Sequence, residues 1–167
     1  MIVKIAELSD AVRRADFRSS TADLNTALEA GCVRSAPRFR EDPEVRAEVY
    51  RHGTDVYFCG SVSGVVNFTC PRCMDEFTWP LARDFKFLIV REGGPDVPED
   101  DTGLDHYSGD EIDLAPLARE QAMLGLDDTV LCTESCRGLC SQCGANLNRE
   151  ECGCDKTRGT NNGLRLN

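Results

Sequence analysis

The sequence is poor in residue types on which many functional sites depend. Of its 167 residues, two are histidine and one is tryptophan. Catalytic zinc usually takes histidine or carboxylate ligands and keeps one position open. His52 and His106 fall in a predicted turn and a predicted loop, so they do not support such a site. The sequence also lacks a glycine-rich phosphate loop and a Ser-His-Asp set, and no small-molecule substrate is evident.

Long apolar segments and an excess of positive charge are missing as well. Apolar runs such as residues 85–90 are far shorter than the roughly 20 residues of a membrane-spanning helix. The opening residues, MIVKIAEL, lack the features of a secretory signal. We therefore expect a cytoplasmic protein with no membrane partner. The formal net charge of −10 argues against broad binding of nucleic-acid phosphates.

Cysteine, by contrast, is abundant. Ten cysteines in a reducing compartment indicate metal binding or redox chemistry rather than disulfides. Cys32 and Cys59 stand alone, and Cys59 is predicted to be a small buried side chain in an apolar strand. The other eight form four close pairs: Cys70 with Cys73, Cys132 with Cys136, Cys140 with Cys143, and Cys152 with Cys154.

The spacing of these pairs is typical of structural zinc sites. Zinc takes four ligands tetrahedrally, and one Cys-x-x-Cys turn can supply two of them. Gly144, directly after Cys143, permits the positive φ that such a turn needs. Eight residues separate Cys143 from Cys152, enough to return a second pair to the same ion. A single site that uses only some of the cysteines remains an alternative. The favoured sites are Cys140, Cys143, Cys152 and Cys154 for one ion, and Cys70, Cys73, Cys132 and Cys136 for the other.

The rest of the sequence predicts an α+β fold. Residues 1–130 are expected to form a domain with an antiparallel β-sheet or open barrel, followed by a zinc-knuckle segment at 131–155 packed on it and a flexible tail at 156–167. Closely spaced apolar segments with short connections favour the sheet. The predicted strands are residues 1–8, 44–50, 56–59, 62–69, 77–81 and 85–90.

Two helices are predicted. Ser20 can cap a short helix from Thr21 to Ala30, which Gly31 would end. Asp113 is the predicted N-cap of a helix near 113–125. Its buried face would carry three leucines, namely Leu114, Leu117 and Leu124.

One segment carries most of the charge imbalance. Residues 92–111 hold eight acidic residues and no lysine or arginine. Together with their glycines and prolines, this composition predicts a mobile loop. An acidic surface for a basic partner is the alternative.

The motifs together resemble a known family, the large ribosomal RNA subunit accumulation proteins (the YceD family). The resemblance extends over about residues 1–155, and its specific parts are residues 70–77 and 113–154. Ser141 stands where the family pattern leads us to expect proline, and the tail after Asp155 carries no motif. The segments that carry the resemblance are Cys70-Pro-Arg-Cys73 with Phe77, Asp113-Leu-Ala-Pro-Leu-Ala-Arg-Glu-Gln121, Cys132 with Cys136-Arg-Gly-Leu-Cys140-Ser-Gln-Cys143-Gly-Ala-Asn-Leu-Asn148, and Cys152-Gly-Cys154.

The resemblance implies a non-enzymatic factor in the processing or assembly of large-subunit ribosomal RNA, with metal supporting the fold. Its partners would be that RNA or ribosomal proteins, and direct contact is left open. Two hypotheses of other classes remain. One is a thiol-based redox enzyme or sensor that uses the Cys-x-x-Cys pairs. The other is a direct RNA-binding module that uses Arg72, Arg137 and Arg149.

Overall fold

The computed structural model describes residues 1–31, 37–93, 105–127 and 130–154. Cys32, the centre of the predicted acidic loop at 94–104 and the predicted tail at 156–167 lie outside these ranges. The described elements are β1 (Ile2–Lys4), a 3-10 turn (Ile5–Glu7), β2 (Arg13–Arg14), β3 (Phe17–Arg18), α1 (Thr21–Gly31), β4 (Arg38–Phe39), β5 (Glu44–His52), β6 (Asp55–Thr69), β7 (Glu76–Arg91), β8 (Asp105–Tyr107), β9 (Glu111–Asp113) and α2 (Ala115–Leu124).

Seven of these strands form one sheet in the order β2-β5-β6-β7-β8, with β3 also paired to β5 and β4 to β6. The pairs are antiparallel except for β7 with β8, which is parallel. Strands β1 and β9 form a separate antiparallel pair. The predicted α+β class is therefore confirmed, with a mostly antiparallel sheet that does not close into a barrel.

The β6–β7 hairpin is the longest unit of the sheet. Its paired residues run from Val56 opposite Ile89 to Thr69 opposite Glu76. The sequence predicted four short strands here, because polar residues near Ser61 and Asp84 interrupt the apolar pattern. That division was wrong, since backbone pairing continues through the polar residues. As a result, the hairpin carries residues 70–75 at its tip.

The core lies on one face of the sheet. Alternate residues of β5 and β6, such as Val49 and Phe58, are fully buried there. Helix α1 adds Leu24 and Leu28 to the same cluster. Its start is as predicted, because the Ser20 hydroxyl accepts a hydrogen bond from the Asp23 N–H (3.3 Å).

Helix α2 differs from its prediction in cap and buried face. Asp113 belongs to β9, and its carboxylate accepts a hydrogen bond from the Ala115 N–H (3.1 Å) without being the N-cap residue. Leu114 is fully buried and Leu117 packs against the core, as predicted, whereas Leu124 is 55% exposed. The small side chains of Ala118 and Ala122 are buried in the core as well. Alanine at the contact lets a helix backbone approach a sheet closely, and the prediction of the buried face considered only leucines.

Strands also occupy part of the predicted acidic loop. Residues 105–107 extend the sheet as β8, and residues 111–113 pair with the N-terminal strand as β9. Tyr107 is buried, and its hydroxyl donates a hydrogen bond to the Thr54 carbonyl (2.8 Å). Within the described ranges, no helix has the length and apolar character needed to span a membrane.

We expect a strong dependence on Gly60, where β5 and β6 approach closely. A Cβ at this position would lie 2.3 Å from the Arg46 carbonyl oxygen, whereas a Cβ at Gly64 would lie 3.3 Å from its nearest neighbour, Pro43. Gly60→Ala should therefore lower the free energy of unfolding by about 3 kcal/mol, and Gly64→Ala by less than about 1 kcal/mol. Urea unfolding of both variants checks this, and equal effects would contradict the close approach.

Candidate metal centre

The first cysteine cluster consists of Cys70, Cys73, Cys132 and Cys136. The β6–β7 hairpin supplies the first two at its tip, and the segment from residue 130 supplies the other two. All four sulfur atoms lie within 4.8 Å of one another. Cys70, Cys73 and Cys136 are at most 5% exposed, and the partly buried Phe77 and Leu131 pack against them.

The second cysteine cluster consists of Cys140, Cys143, Cys152 and Cys154, again with all sulfurs within 4.8 Å of one another. All four come from the 15 residues 140–154, which contain neither helix nor strand apart from Asn146, whose isolated bridge partner Leu139 lies just before Cys140. None of the four is fully buried, and Cys143 is exposed. The chain thus brings together both cysteine groupings favoured from the sequence.

The two Cys-x-x-Cys turns, which we call the first knuckle (Cys70–Cys73) and the second knuckle (Cys140–Cys143), share one backbone pattern. In the first, the Met74 N–H donates to the Cys70 carbonyl (2.9 Å), and the Cys70 N–H donates to the Asp75 carbonyl (2.8 Å). The second repeats both bonds at 2.9 and 2.8 Å with Gly144 and Ala145 in the corresponding positions. This repetition holds each pair of sulfurs on one side of its turn.

The residue after each knuckle adopts a left-handed conformation. Gly144 has φ 75°, as the sequence predicted, and Met74 has φ 61° in the equivalent position. Met74 is the sole non-glycine residue with positive φ among those described. The side chain of Met74 is 57% exposed, so its burial contributes little to the stability of the fold.

Sulfur spacing in the first cluster fits a shared ion. The Cys70 and Cys136 sulfurs are 3.8 Å apart, and those of Cys73 and Cys132 are 3.6 Å apart. A disulfide would require about 2.05 Å. Four sulfurs placed tetrahedrally at about 2.3 Å from one zinc ion would be separated by about 3.8 Å. The described cysteines therefore form two groups that could each hold a metal ion.

Backbone N–H groups are directed at one sulfur in each cluster. Burial acts to raise the pKa of Cys70, but hydrogen bonds from three backbone N–H groups outweigh it and lower the pKa to about 6. Hydrogen bonds from two N–H groups of the second knuckle lower the pKa of Cys140 to about 6. These bonds favour the thiolate, which is the form that binds metal.

The pKa of a second thiol in each cluster is raised instead. A backbone N–H lowers the pKa of Cys73, but burial and the three neighbouring sulfurs together raise it to about 12. Hydrogen bonding to Cys143, followed by burial, raises the pKa of Cys154 to about 12. Four thiolates at this spacing repel one another, so a cation among them is needed for all four to ionise.

Polar side chains connect the two clusters, and the sequence analysis had given none of them this role. Asp75 accepts hydrogen bonds from the Asn146 amide (2.9 Å) and the Arg149 guanidinium (2.8 Å). The Asn148 amide donates to the Cys136 sulfur (3.3 Å), and its carbonyl oxygen accepts from the Arg137 N–H (2.7 Å). Asn148 is not one of the candidate metal ligands. Its spacing from Cys136 in the sequence matches no motif from which this contact could be predicted.

The remaining candidates lie apart from both clusters. The His52 ring is exposed and contacts only the Asp10 carboxylate among the contacts described for it (2.9 Å). His106 lies in β8. Cys59 is half-buried on β6, and burial raises its pKa. The prediction of a buried Cys59 in a strand is therefore confirmed for the strand and only partly correct for the burial.

Comparison with known proteins identifies a family relationship. A family model described as "Large ribosomal RNA subunit accumulation protein YceD" matches residues 58–165. This match is well over half of the chain and includes all eight cysteines of the two clusters. No solved structure matches the chain.

Two curated relatives carry a related name, "Large ribosomal RNA subunit accumulation protein YCED homolog 1, chloroplastic". The protein from Arabidopsis thaliana is 27% identical over 68% of this chain and 44% of its own length. The protein from Zea mays is 26% identical over 80% of this chain and 55% of its own length. The chain spans about half the length of these curated relatives.

The equivalent positions after the two knuckles predict opposite effects of substitution. Met74→Gly should raise the free energy of unfolding by up to about 1 kcal/mol, because glycine adopts positive φ without the strain of a side chain. Gly144→Ala should lower it by about 1–2 kcal/mol, although a Cβ there would meet no atom within 4 Å. Denaturant unfolding in excess zinc measures both effects. Changes of the same sign would contradict the shared knuckle geometry.

Proposed function

This chain belongs to the YceD family of large ribosomal RNA subunit accumulation proteins, and from that premise we propose a non-enzymatic, zinc-binding factor that supports accumulation of large-subunit ribosomal RNA. The single observation that supports the metal role best is the gathering of eight cysteines into two groups of four. We further propose the cytoplasm as its location, since free thiolates persist in a reducing compartment.

Zinc is the ion that the donor set favours. Four thiolates in tetrahedral arrangement suit zinc or an iron–sulfur centre. Sulfurs 3.6 and 3.8 Å apart correspond to ligands of one ion. Zinc with four protein ligands keeps no open position for a substrate, so its contribution here is structural. It would hold the β6–β7 tip to the segment that follows α2.

The redox hypothesis has weaker support. A thiol-disulfide enzyme typically carries its Cys-x-x-Cys at the start of a helix, with the attacking thiol accessible. The first knuckle instead forms the turn between β6 and β7, and Cys70 is fully buried. The pKa of about 6 for Cys70 is also what a metal ligand needs, since metal binds the thiolate.

Direct RNA binding through Arg72, Arg137 and Arg149 also has weaker support. The Arg149 guanidinium pairs with Asp75, and the Arg72 guanidinium donates to the Cys136 carbonyl (3.3 Å). Each zinc bound to four thiolates adds a charge of −2, so two sites change the formal charge from −10 to about −14. Such a charge repels phosphate. A contact through protein partners, such as ribosomal proteins, is the version we favour.

Metal content is the first quantity to measure. Native mass spectrometry of the freshly purified chain should show two zinc ions, and chelation should remove both and unfold the region after residue 130, because burial alone does not hold it together. Hydrogen exchange of the same samples localises the unfolding. One zinc ion per chain would mean that only one cluster binds metal. Bound iron would contradict the assignment of zinc. Metal-free protein with reversible disulfides would favour the redox hypothesis.

Large-subunit ribosomal RNA should decline when the protein is removed. In cells of the source organism depleted of this chain, we expect a lower ratio of large- to small-subunit ribosomal RNA, restored by the wild-type chain. Cys70→Ser combined with Cys73→Ser should fail to restore it, because the hairpin tip would lose its metal. Quantification of both RNAs by electrophoresis measures the ratio.

Cys59→Ser is the matched control for that experiment, since it removes a cysteine of the same sheet that lies outside both clusters. It should restore the ratio as well as wild type does. An unchanged ratio on depletion would count against the role in RNA accumulation. Full rescue by the variant that lacks Cys70 and Cys73 would count against the metal as its support.

A further inference from the structure

The two clusters differ in how strongly the rest of the protein holds them. The first combines cysteines from the hairpin tip with cysteines about 60 positions later, and three of its four side chains are buried. The second takes all its ligands from residues 140–154 and has an exposed member, Cys143. Solvent, chelators and oxidants therefore reach the second cluster more easily than the first.

A short stretch of chain between two ligands of the second cluster also contacts the first cluster. Residues 144–151 run between Cys143 and Cys152, both members of the second cluster. We call residues 144–149 of this stretch the connecting loop. Within it, Asn148 donates to the sulfur of Cys136 (3.3 Å), which belongs to the first cluster. Asn146 and Arg149 bind the carboxylate of Asp75, next to the first knuckle.

The backbone adds to this connection. The Leu139 N–H, just before the second knuckle, donates to the carbonyl of Arg72 inside the first knuckle (3.0 Å). Gly138 has φ 74°, and a Cβ there would lie 3.0 Å from that same carbonyl oxygen. The residues that lead into the second knuckle are thus in backbone contact with the first knuckle.

We propose that metal in the second cluster strengthens metal binding by the first, and that Asn148 is the positioning residue that couples them. The inference rests on the proposed function, since it assumes that both clusters bind zinc. An ion shared by Cys143 and Cys152 closes the connecting loop and restricts its freedom. The Asn148 amide is then held on the Cys136 sulfur (3.3 Å), and this hydrogen bond fixes the position of that sulfur relative to the other three of the first cluster.

The coupling determines the order in which metal leaves. The exposed second cluster loses its ion first, the connecting loop then opens, and the first cluster loses the hydrogen bond to Cys136. Because coupling between two binding sites is reciprocal, metal in the first cluster strengthens the second by the same factor. The hairpin tip would thereby respond to zinc supply through a site whose four ligands all lie outside the sheet.

A double-mutant cycle on the full chain tests this coupling. Zinc affinity is measured by competition with a chromophoric chelator, and native mass spectrometry counts the ions. In the chain with both clusters, Asn148→Ala should lower the product of the two zinc affinities, which contains the coupling factor, about 10- to 100-fold. With the second cluster emptied by Cys152→Ser and Cys154→Ser, Asn148→Ala should change first-cluster affinity less than about 3-fold. Glu150→Gln, an exposed change close to the same loop, is the matched control and should have no effect.

Cadmium substitution provides a second measurement in case the emptied variant fails to fold. The two-cadmium protein should give two ¹¹³Cd resonances, and Asn148→Ala should shift the one assigned to the first cluster and leave the other in place. A general structural disturbance would shift both.

The outcomes separate this inference from the proposed function. The chain could bind two zinc ions, with Asn148→Ala and emptying of the second cluster acting independently on zinc affinity. That result would overturn the coupling and leave the proposed function intact. A purely additive cycle would do the same, as would an unshifted first-cluster resonance. A chain that binds no metal would overturn both the coupling and the proposed zinc role.

Discussion

Mutual repulsion among four closely spaced thiolates is the constraint on which the C-terminal half of this protein depends. The sulfurs of the first cluster are within 4.8 Å of one another, and three of them are shielded from water. Backbone N–H groups favour a single thiolate, while the pKa of a neighbouring thiol is raised to about 12. Under the proposed function, a zinc ion among these sulfurs would hold the hairpin tip and the segment after α2 together.

The sheet and the cysteine segment are stabilised by different interactions. In the sheet, alternating apolar residues such as Val62 and Val66 are fully buried beneath α1 and α2. From residue 130 to 154, the buried apolar side chains are few, and turns joined by hydrogen bonds replace regular elements. A segment of this kind needs a metal or a cross-link to fold. Its contact with the sheet is made through the tip of β6 and β7.

Local chemistry in the sequence predicted the cysteine groups, the α1 cap at Ser20 and the positive φ of Gly144. These features depend on residue type and on spacing over a few positions. The sequence did not predict the contact of Asn148 with Cys136 or the pairing of β7 with β8, because both join segments that are distant or carry no periodic pattern. Met74 is a related case, since methionine gives no sign of the left-handed conformation that the knuckle imposes. The predicted buried face of α2 was right for Leu114 and Leu117 and wrong for Leu124, and it did not include the buried Ala118 and Ala122.

The distance along the chain between the ligands of the first cluster has a consequence for folding. Cys70 and Cys136 are separated by 66 positions, so joining them through one ion closes a large loop. In a chain-entropy treatment, a permanent link across a loop of that size disfavours the unfolded chain by about 4 kcal/mol. The second cluster closes a loop of about 15 residues, for which the same treatment gives about 3 kcal/mol, so this shorter loop costs the unfolded chain less entropy to form. It can assemble on its own chain segment first, leaving the long-range closure to complete the fold.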